Sequence, residues 1–221
     1  MSEPRWRALA EGRPLLLAAG AVGMAAARAF PPATPLAVLA VGALALAFRD
    51  PERAVTRRPT IALAPADGRV IHVDRVWDAY WQSHLVEIAV FLALWDVHVQ
   101  RIPLDGEVVA QERRAGAYRP AMSRLATHGN NQLATYVRTA AGPCVVTQIS
   151  GLLARRIVTW APPGTRLSQG ERLGMIKFGS QVTVRLPATA SVLVGVGDHV
   201  RAGVTPVADL EGEAATAFPA T

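Results

Sequence analysis

The 221 residues suffice for one substantial domain and an appendage, and 23 Lys and Arg against 17 Asp and Glu give a formal charge of +6. With aromatics at only 6% and no basic block interleaved with rings, that charge excludes a dedicated nucleic-acid surface and leaves an anionic membrane as the simpler partner. The single cysteine, Cys144, excludes an intrachain disulfide and a multi-cysteine metal site, and reads as a core residue.

Arg5, Arg7 and Arg13 precede a run from Pro14 to Phe30 in which only Arg28 is charged, and a second uncharged run extends from Pro31 to Phe48. Between them Pro31, Pro32 and Pro35 remove backbone donors and break any continuous helix. Residues 1–48 are therefore predicted to form a helical hairpin. Each run falls short of the roughly 20 residues that span a hydrocarbon core comfortably, so a hairpin inserted partly or wholly into the cell membrane is expected. Basic residues flank both ends, with Arg49, Arg53, Arg57 and Arg58 on the far side. By the positive-inside tendency both flanks, and the domain that follows, lie on the cytoplasmic side. A cleaved signal peptide is the competing reading.

Residues 49–59 are polar and contain two prolines, which reads as a linker at the membrane surface. From Thr60 the pattern switches to period two. Val70–Val76, Leu85–Phe91, Asp96–Gln100, Glu107–Val109 and Cys144–Ile149 are short, rich in β-branched residues and bounded by Gly, Pro or Asp. Residues 60–221 are thus predicted to be a mainly β domain of small antiparallel strands. Ala121–Asn131 reads as a long loop with a helical turn.

Two internal echoes refine this. Pro65-Ala66-Asp67-Gly68-Arg69-Val70 recurs as Pro103-Leu104-Asp105-Gly106-Glu107-Val108, a tight turn feeding a strand. Gly164–Gly170 recurs as Gly197–Gly203, which resembles the hammerhead turns of lipoyl and biotinyl carrier domains. The expectation is a barrel-sandwich-like arrangement of two small sheets packed face to face, with quasi-repeated hairpins.

Several residues could carry chemistry. Asp67 and Asp105 both read as turn aspartates, and something must separate them. In a strand Asp96 and His98 share a face, so a carboxylate and an imidazole could line one site, as acid–base chemistry uses. His72, His84 and His199 read as structural or surface residues, whereas His128 lies in the irregular loop and could contact a substrate. No pair of histidines has ligand spacing, so no metal site is expected. In Met175-Ile176-Lys177-Phe178-Gly179-Ser180, a small residue precedes a hydroxyl nucleophile at the entry to the alternating run Gln181–Leu186. Gly179 could be a strand bulge, or the Ser180 oxygen could reach the carbonyl before it.

Taken together, the paired apolar segments, Phe48-Arg49-Asp50-Pro51-Glu52-Arg53, Ala64–Val70, Asp96–Gly106, Gln148–Ile157 and Phe178-Gly179-Ser180 resemble, in order, the short bacterial and archaeal form of the phosphatidylserine decarboxylase proenzymes. The resemblance implies that Ser180 attacks the Gly179 carbonyl, that the resulting ester breaks by β-elimination, and that the new terminus at 180 loses ammonia to become a covalent pyruvoyl cofactor. It implies two fragments, split between 179 and 180, that remain partners. It matches Asp67 to the aspartate that activates the serine, His98 to the histidine beside the reactive centre, and Asp96 to a residue orienting it. The substrate it implies is a membrane phospholipid, phosphatidylserine, decarboxylated to phosphatidylethanolamine, with His98 protonating the carbanion. Another serine-headed lipid, such as archaetidylserine, would use the same chemistry.

Arg101 stands where larger members carry a second histidine. His128-Gly129-Asn130-Asn131-Gln132 stands where short-form relatives carry an acidic element, so their head-group contacts do not carry over; His128 and Asn131 are the loop's own candidates for substrate binding. Arg155 and Arg156 are candidates for lipid phosphate. A carrier domain modified at Lys177, or a membrane serine hydrolase built on Ser180, His98 and Asp67, are the readings outside this family. Homo-oligomerisation stays open.

Overall fold

Proline placement and one small apolar contact set the shape of the N-terminal hairpin. In the computed structural model, which describes residues 6–152, 156–177 and 180–211, α1 (Trp6–Ala29) and α2 (Thr34–Ala47) are joined by a short 3-10 turn, Pro31–Ala33. Pro35 opens α2, where its missing N–H leaves no intrahelical bond unmade. Pro14, by contrast, falls inside α1, so the helix starts well before the apolar run that begins there. Tertiary packing explains the early start. Ala8 is buried in a cluster with Phe48, Val97, Val99 and Met175, and a side chain at Gly12 would run into the Phe48 ring at 2.6 Å. Leu17, Val22, Met24, Leu36, Val38 and Leu39 are exposed along the hairpin. No helix among the described residues is long and apolar enough to cross a membrane.

The β domain follows in chain order as β1 (Ile61–Leu63), β2 (Gly68–Asp78), β3 (Ser83–Leu92), β4 (Val99–Arg101), β5 (Gly106–Arg114), α3 (Arg124–Gly129), β6 (Gln132–Thr139), β7 (Gly142–Ile149), β8 (Ile157–Thr159), β9 (Arg166–Leu167), β10 (Arg172–Ile176), β11 (Ser180–Pro187), β12 (Ser191–Val192), β13 (His199–Val200) and β14 (Pro206–Asp209). Eight strands form one curled antiparallel sheet in the order β13-β2-β3-β11-β7-β6-β5-β9. Two three-stranded sheets, β4-β10-β8 and β1-β14-β12, complete the domain. The alternating positions Val182, Val184 and Leu186 of β11, with Val86, Ile88 and Val90 of β3, pack against Leu173 and Ile176 of β10 and Val207 of β14 in the main core. Period-two patterning therefore found its core face, as expected for a half-buried sheet. One predicted strand shifts: Asp96 lies in the turn after β3, and β4 begins only at Val99.

The two echoes prove to be one structural repeat. Arg69 pairs with His199 where β2 meets β13, and Glu107 pairs with Arg166 where β5 meets β9, at equivalent places in the echoed segments. The carboxylate of Asp67 accepts the backbone N–H of Ala202 at 2.8 Å, and that of Asp105 accepts the equivalent N–H of Gln169 at 2.6 Å. Leu63 N donates to Pro103 O and Arg101 N donates to Pro65 O, a reciprocal exchange across the quasi-repeat. The turn glycines match as well, since Gly170 and Gly203 hold φ of 80° and 69°, which only glycine adopts without strain.

Candidate active site

Ser180 is the first residue of β11 and pairs with Leu92, the last of β3. Its side chain alternates with the core-facing Val182 and Val184, so it points inward, and it is fully buried. Its Oγ has no hydrogen-bond partner among the described residues. A buried hydroxyl without a partner costs on the order of 1–3 kcal/mol, a cost that Ser180 shares with Thr183 of the same strand and Thr147 of β7. Gly179 lies outside the described residues, as does Arg155.

His98 approaches from the neighbouring sheet. The links from β3 to β4 and from β10 to β11 both pass between the same two sheets, and Ile176 N donates to His98 O at 3.2 Å. The topology thus brings the histidine and the serine to one junction. His98 is 1% exposed. Its Nδ1 donates to the backbone carbonyl of Asp96 at 2.8 Å, which fixes the tautomer and makes Nε2 the basic nitrogen of the neutral ring. Burial pulls the His98 pKa down from its ordinary value, and the Asp96 carbonyl, the Asp96 charge and the Asp67 charge only partly restore it against Arg49.

Asp96 orients His98, but not as an adjacent strand carboxylate. Its side chain instead accepts the N–H of Ala93 at 2.8 Å and closes the turn, while the main-chain oxygen holds the ring. Behind the ring, Gln100 Nε2 donates to His98 O and Gln148 Nε2 donates to Gln100 Oε1, both at 2.8 Å. This buried amide ladder ties β4 to β7 and was not legible in the sequence, where both residues read as ordinary polar strand positions.

Asp67 is separated from its twin Asp105 by one contact. Its second oxygen is 2.6 Å from Arg53 Nη2, a pair whose side chains are each 13% exposed. Its charge reaches His98, whereas it makes no hydrogen bond to the Ser180 hydroxyl. Arg53 belongs to residues 49–59, which dock on the domain: Asp50 is clamped between Arg101 at 3.2 Å and Arg172, and Arg101 also donates to Gly170 O. The arginine that stands in place of a histidine therefore has structural work, and the roles of Asp50 and Arg53 could have been suspected from the polar motif ending the hairpin.

The other candidates spread out. Arg156 is exposed, and its carbonyl accepts from Lys177 N at 3.2 Å, which sets it beside the chain that leads into Ser180. Asn131 O accepts from Ser150 N and Oγ just beyond β7, one pairing away from Ser180. His128 is exposed at the end of α3 and lines a small cleft of about 90 Å³ with Arg114, Gln132 and Arg185, on the sheet face opposite to Ser180. His72 pairs with Glu87, His84 stacks edge-on against Trp77, and burial pushes the Cys144 thiol up to about 12, an inert core thiol. Among the described residues no group of three or more His, Cys, Asp or Glu could hold a metal ion.

An apolar groove of about 400 Å³ is lined by Ala40, Ala43, Leu44 and Leu46 of α2 with Leu94 and Trp95 of the turn before His98. Arg49 sits at its end and donates to Trp95 O.

A family model described as phosphatidylserine decarboxylase matches residues 43–208. The phosphatidylserine decarboxylase proenzyme of Burkholderia multivorans is 40% identical over 165 residues, covering 74% of this chain and 77% of that protein. The proenzyme of the same name from Nitrosomonas eutropha is 42% identical over 163 residues, covering 73% and 76% respectively.

Proposed function

The chain belongs to the phosphatidylserine decarboxylase family, and from that membership and the geometry around Ser180 we propose that it is a self-processed decarboxylase of phosphatidylserine. The observation that carries the reading is the buried, unpartnered Ser180 hydroxyl at the junction that also holds the neutral ring of His98.

In self-cleavage the Ser180 oxygen adds to the Gly179 carbonyl carbon, the peptide C–N bond breaks, and an ester links the two residues. His98 Nε2 takes the hydroxyl proton and returns it to the departing nitrogen. Loss of the Cα proton of residue 180 expels the Gly179 carboxylate from Cβ. One water then enters and ammonia leaves, so residue 180 ends as a pyruvoyl group. The residues present fit such a group, because the Ser180 Oγ makes no hydrogen bond among the described residues that its conversion would forfeit. When formed, it supplies an electron sink for the carbanion that departing carbon dioxide leaves.

His98, held at Nδ1 by the Asp96 carbonyl, would take up at Nε2 the proton that the substrate's ammonium gives up on joining residue 180 and deliver it to the substrate carbon. Asp67 and Arg53 supply fixed charge at the edge of the junction, and Arg156 and Asn131 flank it where a head group would lie. The apolar groove beside Trp95 and the exposed apolar side chains of α1 and α2 support a hairpin inserted in the membrane, and the arginines flanking both of its ends support a β domain on the cytoplasmic side. The product is phosphatidylethanolamine.

Denaturing mass spectrometry of purified protein should find two fragments, the smaller blocked by a ketone-reactive terminus, and a Ser180→Ala chain should stay whole. The same preparation should release carbon dioxide from vesicles of phosphatidylserine and sediment with them. An intact chain in an active preparation overturns self-processing. Release only from another serine-headed lipid reassigns the substrate, and protein left in the supernatant removes the membrane reading.

A further inference from the structure

Lys177 stands two residues before the bond assigned to self-cleavage, and its ammonium reaches the first turns of α1. Nζ donates to the backbone carbonyl of Glu11 at 2.6 Å and lies 3.0 Å from the Glu11 carboxylate. The two side chains are 16% and 28% exposed, so this pair is shielded more than the surface ion pairs that contribute little. On the main-chain side, Lys177 N donates to Arg156 O at 3.2 Å. Two residues earlier, Met175 packs in the cluster that holds Ala8 of α1 and Phe48 after α2. The end of β10 is thus gripped by the hairpin through an apolar contact and a charged one.

We propose that the Lys177–Glu11 pair is a latch through which the N-terminal hairpin positions the Gly179–Ser180 peptide for self-cleavage. This rests on the self-processing reading and adds to it a role for the hairpin besides membrane attachment. Lys177 is a positioning residue, since it fixes the strand end that delivers the scissile peptide and takes no proton itself. Both members of the latch lie in the fragment 1–179, so it persists after the chain is cut. Its effect on rate comes from orientation, where displacement by about 1 Å can cost about 100-fold.

The test is a time course of fragment appearance in the full-length chain, followed by denaturing mass spectrometry alongside thermal melting. Lys177→Ala should slow cleavage by at least about tenfold. Lys177→Arg should process near the wild-type rate. Lys177→Glu should be slow, and pairing it with Glu11→Lys should restore a measurable part of the rate. Wild-type cleavage in Lys177→Ala, or no recovery in the charge-reversed double variant, overturns the latch. A lowered melting temperature with unchanged cleavage does the same, because it assigns the pair to stability alone. An uncleaved wild-type chain, behaving as Ser180→Ala does, overturns the self-processing reading and the latch with it.

Discussion

At the scale of single residues, the structure separates two near-identical aspartates. Asp67 and Asp105 each accept one turn N–H, but only Asp67 also meets a guanidinium and acts on His98. Asp67→Asn keeps the turn bond and loses the charge, so fragment formation should slow markedly. Asp105→Asn should change stability by less than about 1 kcal/mol and leave processing intact. Equal processing in both variants, read by mass spectrometry, would remove Asp67 from the site. The second prediction concerns His98. Because burial holds its pKa below the ordinary 6.5, the ring stays neutral as pH falls through that value. The acid limb of self-cleavage should therefore have a midpoint below 6.5. The unfolded chain binds a proton there that the folded one refuses, so folding stability should decline as pH drops from 6.5 towards the folded value. An acid limb centred at or above the ordinary histidine value would count against a buried neutral base.

Among elements, β11 is the strand that everything else holds in place. Its inner face carries Ser180 and the core, while its outer face carries Arg185, which joins three strands: Nε meets Glu87 at 2.7 Å and Nη1 meets Asp78 at 3.0 Å. Burial would raise Glu87, yet the His72 hydrogen bond and the Arg185 charge together hold it below the ordinary carboxylate value. Removing one partner of such a buried network is costly because the others stay charged and dry. Arg185→Met should lower stability by about 3–5 kcal/mol at neutral pH. The depressed carboxyl contributes fully above 4.5 and loses its contribution as pH falls through the folded value, so the deficit should shrink in acid. Denaturant titrations of both chains at neutral and acid pH measure this, and a pH-independent deficit would assign the loss to packing instead.

Across the whole molecule, the hairpin, residues 49–59 and the sheets form one connected unit. Asp50 links the chain after α2 to β4 and β10 through Arg101 and Arg172, Arg53 reaches Asp67, and Lys177 returns to α1. The segment read as a linker is thus pinned by ion pairs, a feature its polar, proline-containing composition did not reveal. Composition reports that a stretch is hydrophilic, but only the fold shows whether its charges find partners.

The sequence by itself determined the period-two strands, the paired apolar helices, the internal echo and the order of motifs around Gly179-Ser180, because these depend on local patterning and on residues close in the chain. It also put forward Ser180, His98, Asp67 and Asp96 as a set. Tertiary structure alone decided how each is held. Asp96 acts through its carbonyl because its side chain closes a turn, and Asp67 differs from Asp105 because Arg53 arrives from a distant segment. His128 faces the far side of the sheet because strand alternation sends Ser180 inward and α3 packs on the other face, where Gln181 binds Thr127. Such contacts join residues far apart in the chain, and no local pattern encodes which of several like charges will be neighbours once the sheets close.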